Sequence, residues 1–314
     1  MSTIERAAAR LGTIGKVRAE PVVRDPALVP DVARVELPTV EAEAEAPGAT
    51  PMARVQNEPA LARIGGGFCE IDVDALTAAG FATQQNINVE IAADLRRIKR
   101  PLLMAIKKSA VRGSHALPHN LILITSALPG EGKTFVSINL ALSIAAELDR
   151  SVLLVDADVA KNDVARVLGV NYDVGLIDLL ERHNLHTEDV VLQTNIESLS
   201  ILPSGRMQPN VDELLASDKM IRLAKERADH DPNRIVIVDG PPVHAGTEAG
   251  VLARMVGHVV VLVEADQTPQ ASVADALHQL KGCESISMVL NKVRRRSSDH
   301  AIYGYGYGYG SQGS

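Results

Sequence analysis

The sequence predicts an α/β fold, a mostly parallel sheet with helices on both faces, flanked by a disordered N-terminal linker and a flexible Tyr/Gly tail. Three observations carry that expectation. Six short aliphatic runs, Leu121-Ile-Leu-Ile, Val152-Leu-Leu-Val, Leu199-Ser-Ile-Leu, Ile235-Val-Ile-Val, Val259-Val-Val-Leu and Ile286-Ser-Met-Val, alternate with helical segments. Such alternation implies right-handed βαβ crossovers. Apolar residues make up 46% of the chain with no Trp and three Phe, so Leu, Ile, Val and Ala must build the core, as parallel strands buried on both faces require. At 314 residues, one domain of about 200 residues with extensions is the natural division.

The extensions come first in chain order. Residues 2–11 read as a short amphipathic helix, with Ser2 and Glu5 at capping-box spacing, Ile4, Ala8 and Leu11 on one face and Gly12 to end it. From about Gly15 to Pro59 periodicity is lost, and seven of the sixteen prolines lie in the first 60 residues beside the Glu41-Ala-Glu-Ala-Glu-Ala-Pro47 repeat, a linker composition. The expected division is therefore an N-terminal region 1–85, a folded domain 86–297 and a tail 298–314. The domain opens with a helix from about Val89 to Arg112, interrupted or restarted near Pro101. Its Arg96, Arg97, Lys99, Arg100, Lys107, Lys108 and Arg112 read first as a solvated face.

Next comes a strand–turn–helix unit in which Leu121-Ile-Leu-Ile leads into Ser126-Ala-Leu-Pro-Gly-Glu-Gly-Lys-Thr134 and then a helix from Phe135. Gly130 and Gly132 let the backbone wrap phosphate oxygens, with amides and a helix N-terminus directed at the anion. Lys133 is positioned to reach the β/γ-phosphates and the Thr134 hydroxyl to bind Mg²⁺. The predicted nucleotide-binding stretch is thus Pro129, Gly130, Glu131, Gly132, Lys133, Thr134 and Phe135, a P-loop for ATP or ADP. The first glycine of the general G-x-x-x-x-G-K-[ST] pattern is replaced by Ala127.

Two further strands end in acids: Val152-Leu-Leu-Val leads to Asp156 and Asp158, and Ile235-Val-Ile-Val to Asp239-Gly-Pro-Pro242. One such Asp is usually a helix cap. Three beside a P-loop point to Mg²⁺ held between carboxylates and a triphosphate, with Thr134, Asp156 and Asp239 as candidate metal ligands. Lys133, Asp156, Asp158 and Asp239 form the candidate catalytic set for phosphoryl transfer, in which a carboxylate orients or deprotonates the nucleophile. The spacing leaves the nucleophile open: water makes an ATPase switch, a tyrosine hydroxyl a kinase. Four of the five tyrosines, Tyr303, Tyr305, Tyr307 and Tyr309, alternate with glycine near the C-terminus. They are either candidate phosphoacceptors or a low-complexity tail.

These residues resemble the bacterial tyrosine kinases, autophosphorylating P-loop proteins that regulate capsule and exopolysaccharide export. The resemblance runs from about Val89 to Tyr309. It rests on Pro129-Gly-Glu-Gly-Lys-Thr134, Val155-Asp-Ala-Asp158, Val238-Asp-Gly-Pro-Pro242, Leu202-Pro-Ser-Gly-Arg206 with Pro209-Asn-Val-Asp-Glu-Leu-Leu215, Thr268-Pro-Gln-Ala271, Leu290-Asn-Lys292 and the tyrosine cluster. The start, Ile98-Lys-Arg-Pro-Leu-Leu103 and the Tyr-Gly repeat most resemble the free-standing autokinases of exosortase-linked exopolysaccharide loci. The resemblance implies Lys133 and Thr134 on phosphate and Mg²⁺, the three aspartates on the metal and the tyrosine hydroxyl, and Asn291 at an adenine-contacting position. It also implies a separate membrane chain-length-determinant (polysaccharide co-polymerase) protein as activator. It implies too a homo-oligomer, with a ring as one form, since the family's Glu-x-x-Arg-x-x-Arg signature is approximated by Asp94-x-x-Arg97-x-x-Arg100 or stands degraded at Ala93-x-x-Arg96-x-x-Lys99. Leu128 stands where partition and septum-site ATPases carry a lysine, and Val159, Ala160 and Lys161 replace a frequent basic pair.

Other classes are disfavoured. A net charge of -7 argues against general nucleic-acid binding. Cys69 and Cys283 are too few for a disulfide framework, and His183 and His186 read as surface residues rather than a metal pair. No apolar run approaches the roughly 18 residues that span a bilayer, so any membrane connection must be peripheral, and the resemblance implies a cytoplasmic protein that reaches the inner membrane through a partner. Two alternatives stand beside the kinase: a dimerising partition-type ATPase switch, and a non-catalytic nucleotide-binding scaffold for polysaccharide export.

Overall fold

In the computed structural model the aliphatic runs become neighbouring strands because each has two apolar faces to bury. Residues 67–83, 89–112, 117–229, 231 and 233–293 are described, all within the unit spanning 59–314. The helix expected at 2–11, the linker and Tyr303, Tyr305, Tyr307 and Tyr309 lie outside the described residues.

The strands are β1 (Phe68–Cys69), β2 (Leu121–Ser126), β3 (Ser151–Asp156), β4 (Leu192–Thr194), β5 (Leu199–Leu202), β6 (Arg234–Asp239), β7 (His258–Glu264) and β8 (Ile286–Asn291). They form one sheet in the order β1-β4-β5-β3-β6-β2-β7-β8. All six expected strands are present, and the five pairings among them are parallel. The two unexpected strands sit at one edge, where β4 pairs antiparallel with β5 and β1 pairs parallel with β4. Only two and three residues long, they lack the run of β-branched residues that marks the others.

Period-two alternation divides the core into two layers. Leu121, Leu123, Leu153, Val155, Val236, Val238, Val259 and Val261 face one layer; Ile122, Ile124, Val152, Leu154, Ile235, Ile237, Val260 and Leu262 face the other. Helices cover both. On the second face α3 (Lys133–Ala145) lies against the sheet, buried on nearly every side because α2 (Val89–Arg112) packs over it. α1 (Val73–Ala78) and the residues after it add Leu76 and Phe81 to that layer. Residues 67–83 are therefore part of the packed core, and the folded unit reaches into the segment 1–85 assigned to the N-terminal region.

The other helices are α4 (Asp163–Leu168), α5 (Leu176–Glu181), α6 (Thr187–Val190), α7 (Val211–Leu215), α8 (Asp218–Asp229), α9 (Glu248–Ala253) and α10 (Gln270–Gln279). Among the described residues no helix is long and apolar enough to cross a membrane.

Two expectations for α2 need correction. The helix runs unbroken from Val89 to Arg112 with Pro101 inside it. Proline removes the hydrogen bond to the carbonyl four residues earlier, but Arg97 and Pro101 both lie on the exposed face, where that loss costs least. The basic residues are also not one solvated face. Lys99 is buried, donating to the Ser143 carbonyl at 2.9 Å and pairing with Glu147 at 2.5 Å, so it ties α2 to the end of α3. Lys99→Ala leaves that carbonyl without its donor and is expected to lower the unfolding free energy by about 1–3 kcal/mol. In a urea titration Arg100→Ala, on the exposed side, stays within roughly 0.5 kcal/mol of the parent chain.

Candidate functional site

The carboxyl ends of β2, β6 and β3 lie side by side, and the turn after each carries one part of the site. Such strand ends are where open parallel sheets bind ligands. Register makes the placement tight: Asp156 is the direct partner of Asp239, and Asp239 that of Ile124.

The turn between β2 and α3 wraps because Gly130 and Gly132 take φ of 87° and 94°, left-handed values that side chains resist. At Gly132 a Cβ would also collide with the Asn291 amide. Ala127, at the missing first glycine, is fully buried and keeps a negative φ, so no glycine is needed there. Pro129 and Gly130 form the exposed crest of the loop.

Lys133 and Asp158 pair at 3.4 Å, each side chain only 4% exposed. Thr134 Oγ1 donates to Asp239 Oδ2 at 2.7 Å, and Ser137 Oγ donates to Asp239 Oδ1 at 2.9 Å. Asp156 accepts from the backbone amides of Asp158 and Val164, both at 3.2 Å, which shapes the turn into α4. Lys133, Thr134, Asp156, Asp158 and Asp239 are thus brought together as expected from the sequence.

Asp156 and Asp239 are fully buried. Burial is the main cause that holds Asp156 well above the ordinary carboxylate range, followed by the charge of Asp239. Burial likewise pushes Asp239 from 3.8 up to about 6, against the lowering effect of the Thr134 and Ser137 hydrogen bonds and of Lys133. The pocket holds three acids and one lysine. It therefore calls for added positive charge.

Among the described residues no group of three or more His, Cys, Asp and Glu side chains is arranged to hold a metal. Mg²⁺ does not need such a cage, since it is usually bound through one or two carboxylates, waters and nucleotide phosphates. The donor set here fits that habit: the Thr134 hydroxyl and the Asp239 carboxylate adjoin in the fold, both hard oxygens, with Asp156 beside them.

Other candidates from the sequence sit differently. The Glu131 side chain does not face the crest; it is buried, accepting from Leu128 N at 2.8 Å, Glu264 N at 3.3 Å and the Thr268 hydroxyl. Phe135 turns its ring onto Phe81, with centroids 4.8 Å apart. Asn291 reaches the loop itself, donating from Nδ2 to the Glu131 carbonyl at 2.8 Å.

Sequence reasoning assigned no role to four residues of this assembly. Ser137 is one, although its position three residues after Thr134 puts it on the same helical face. Thr268 and Glu264 brace Glu131. Lys292 donates to the Gly130 carbonyl at 2.7 Å and pairs with Glu264 at 2.9 Å. These last three come from strand ends far away in the chain, so only the fold joins them to the loop.

A second structured turn flanks the site. Gly175 packs against Gly205, whose φ is 88°, and Asp178 accepts from Gly175 N at 3.0 Å and Arg206 N at 3.4 Å. This clamp holds the Leu202-Pro-Ser-Gly-Arg206 segment and delivers Met207 to Pro209 beside Asp158.

Comparisons with known proteins agree with this geometry. The protein-family model described as "AAA domain" matches residues 119–294. Tyrosine-protein kinase YwqD of Bacillus subtilis is 35% identical over 187 residues, covering 59% of this chain and 76% of that protein. Tyrosine-protein kinase wzc of Salmonella typhimurium is 28% identical over 237 residues, covering 69% of this chain but only 32% of that protein. Among solved structures, the VpsO kinase domain superposes with a TM-score of 0.52 at 29% identity, covering 63% of this chain and 98% of that one.

The raised Asp239 fixes the sign of a pH effect in the nucleotide-free protein. An acid whose folded pKa is raised holds its proton more tightly when folded, so its contribution is most favourable below about pH 4 and is lost as pH rises through about 6. Asp239→Asn removes that loss. The stability difference, variant minus parent, is expected to grow with pH by on the order of 3 kcal/mol between pH 4 and pH 8, read from urea unfolding at each pH.

Proposed function

Since this chain belongs to the bacterial tyrosine-protein kinases, we propose that it is an ATP- and Mg²⁺-dependent autokinase acting on the tyrosines of its own C-terminal cluster, Tyr303, Tyr305, Tyr307 and Tyr309. What carries the reading is the Lys133–Asp158 pair, buried at the P-loop beside Thr134 and Asp239. A charged lysine at that place has a triphosphate as its natural counter-ion, and its move onto phosphate oxygens would free Asp158 for the acceptor.

In the proposed reaction the acceptor phenol oxygen forms a bond to the γ-phosphorus. The bond from that phosphorus to the β–γ bridging oxygen breaks, its electron pair leaving with ADP, and the phenol proton passes to a carboxylate. Asp158 is the candidate acceptor of that proton, because its buried Oδ2 is held only by the 3.4 Å ion pair to Lys133, which the phosphates would draw away. Thr134 and Asp239, with Asp156 beside them, would hold Mg²⁺, which supplies charge neutralisation at the phosphates. Backbone amides from Gly130 to Thr134 would orient the phosphates, while Asn291 and Lys292 hold the loop in its wrapped form.

The wider role follows the resemblance and the named relatives. We propose that tail phosphorylation regulates exopolysaccharide or capsule polymerisation and export, in a homo-oligomer activated at the inner membrane by a separate chain-length-determinant protein. The tail of one subunit then enters the site of a neighbour. Accumulated phosphate, about two negative charges per tyrosine at neutral pH, would repel adjoining subunits and loosen the assembly.

Incubation of the full chain with Mg-ATP, with and without the cytoplasmic segment of the activator, followed by mass spectrometry, tests the assignment. Phosphotyrosine is expected at 303–309, with a loss of at least about 100-fold in Lys133→Ala or after Mg²⁺ is chelated. Absence of phosphotyrosine in the parent chain under both conditions would overturn it.

A further inference from the structure

The two edges of the sheet are unequal. β1 is two residues long, whereas β8 runs for six, Ile286-Ser-Met-Val-Leu-Asn291, with no charged residue and no proline among them. Sheet edges are usually blunted by shortness, charge or proline, and β8 has none of these. The carbonyls of Ser285 and Asn291 accept from the amides of Val259 and Ala265. By the alternation of a parallel ladder the odd-numbered residues of β8 therefore face β7, and Ile286, Met288 and Leu290 turn their N–H and C=O groups outward. No strand lies beyond them among the described residues. Their side chains also share a face, on which Ile286 packs against the core while Met288 and Leu290 are 50% and 61% exposed.

The chain carries a segment whose pattern matches this edge. Tyr303-Gly-Tyr305-Gly-Tyr307-Gly-Tyr309 alternates with the two-residue period of a strand. Laid antiparallel beside β8, it would put every ring on one face and only glycine on the other. With Tyr303 opposite Leu290 and Tyr305 opposite Met288, the rings would cover the exposed apolar pair, and a thioether makes favourable contacts with aromatic rings. A slip of two residues restores the same fit with the next tyrosine, so the repeat needs no single register. The connection is short enough. β8 ends in a bend at Lys292, whose φ of 55° is left-handed, and nine residues, 294–302, separate Val293 from Tyr303. They reach up to about 30 Å, against about 20 Å for the length of β8.

We propose that the β8 edge holds the chain's own Tyr-Gly tail as an added antiparallel strand. The docking follows from the edge and the repeat, and its consequence rests on the kinase reading. Glycine at every second position weakens a strand, so the tail is held loosely and exchanges with its free form. Unmodified tyrosines are then divided between the sheet edge and the phosphate site. A phosphorylated tyrosine carries about two negative charges, which are costly to set against an apolar face, so a tail modified once does not return. The first transfer is the slow one, and the later ones draw on a tail that stays free.

The test follows hydrogen exchange by NMR in the full chain without nucleotide, its methionine, leucine and valine amides carrying nitrogen-15. The outward amides of Met288 and Leu290 are expected to exchange at least about tenfold more slowly than in a chain ending at Ser297, while the Val289 amide, turned to β7, changes little. Gly304→Tyr with Tyr305→Gly, combined with Gly308→Tyr and Tyr309→Gly, keeps the composition and all four tyrosines but destroys the alternation. It is expected to lose the protection as the truncation does, and Met288→Lys, at an exposed position, to lose it at Leu290. Equal exchange in the parent and truncated chains, or protection that survives the rearranged tail, would overturn the proposal. Protection that grows with chain concentration would assign the edge to a second copy and overturn it too. Phosphotyrosine formed from Mg-ATP, measured separately, keeps the two readings apart. Protection without phosphotyrosine would leave the docked tail and remove the kinase, whereas phosphotyrosine without protection would do the reverse.

Discussion

Two buried carboxylates in register at the ends of neighbouring parallel strands set the terms for everything around them. Asp156 and Asp239 face each other across β3 and β6 with no exposure to water. Burying one unpaired charge is costly and two side by side more so. The fold offsets the cost locally with hydroxyls from Thr134 and Ser137 on one acid and turn amides on the other. Lys133, the cation in their midst, is already paired with Asp158. The remaining deficit of positive charge, built into the sheet register, is what a metal–nucleotide complex would offset in the proposed reaction.

That deficit has value only if the phosphate loop holds its shape, and much of the surrounding structure serves this end. Glu131 is buried beneath its own loop and braced by Leu128, Glu264 and Thr268, while Asn291 and Lys292 hold the Glu131 and Gly130 carbonyls. β7 and β8 thus carry the loop as well as extending the sheet.

The sequence exposed the parts whose chemistry is local. Aliphatic runs gave six strands because parallel strands are apolar on both faces, and glycine spacing gave the loop because φ near 90° tolerates little else. The Asp-ended runs at 156 and 239 pointed to the site before any contact was known. What stayed hidden depends on long-range partners. β1 and β4 are too short to show a period. Lys99 looks like its basic neighbours until α2 is docked on α3, and Pro101 reads as a break unless its exposed side is known. Thr268, Glu264 and Lys292 acquire roles only through strand order. Ser137 was within reach of sequence reasoning, since helical spacing alone places it beside Thr134.

The central claim is that Asp239, raised to about 6 by burial, is protonated in part in the nucleotide-free site and would ionise when a metal–nucleotide complex binds. Titration of the full chain with preformed Mg-ADP, by calorimetry in buffers of different ionisation enthalpy, counts the protons exchanged. The account predicts net proton release that is larger at pH 6 than at pH 8 and is reduced in Asp239→Asn, in keeping with a carboxyl raised to about 6. Binding without proton release at either pH would contradict it.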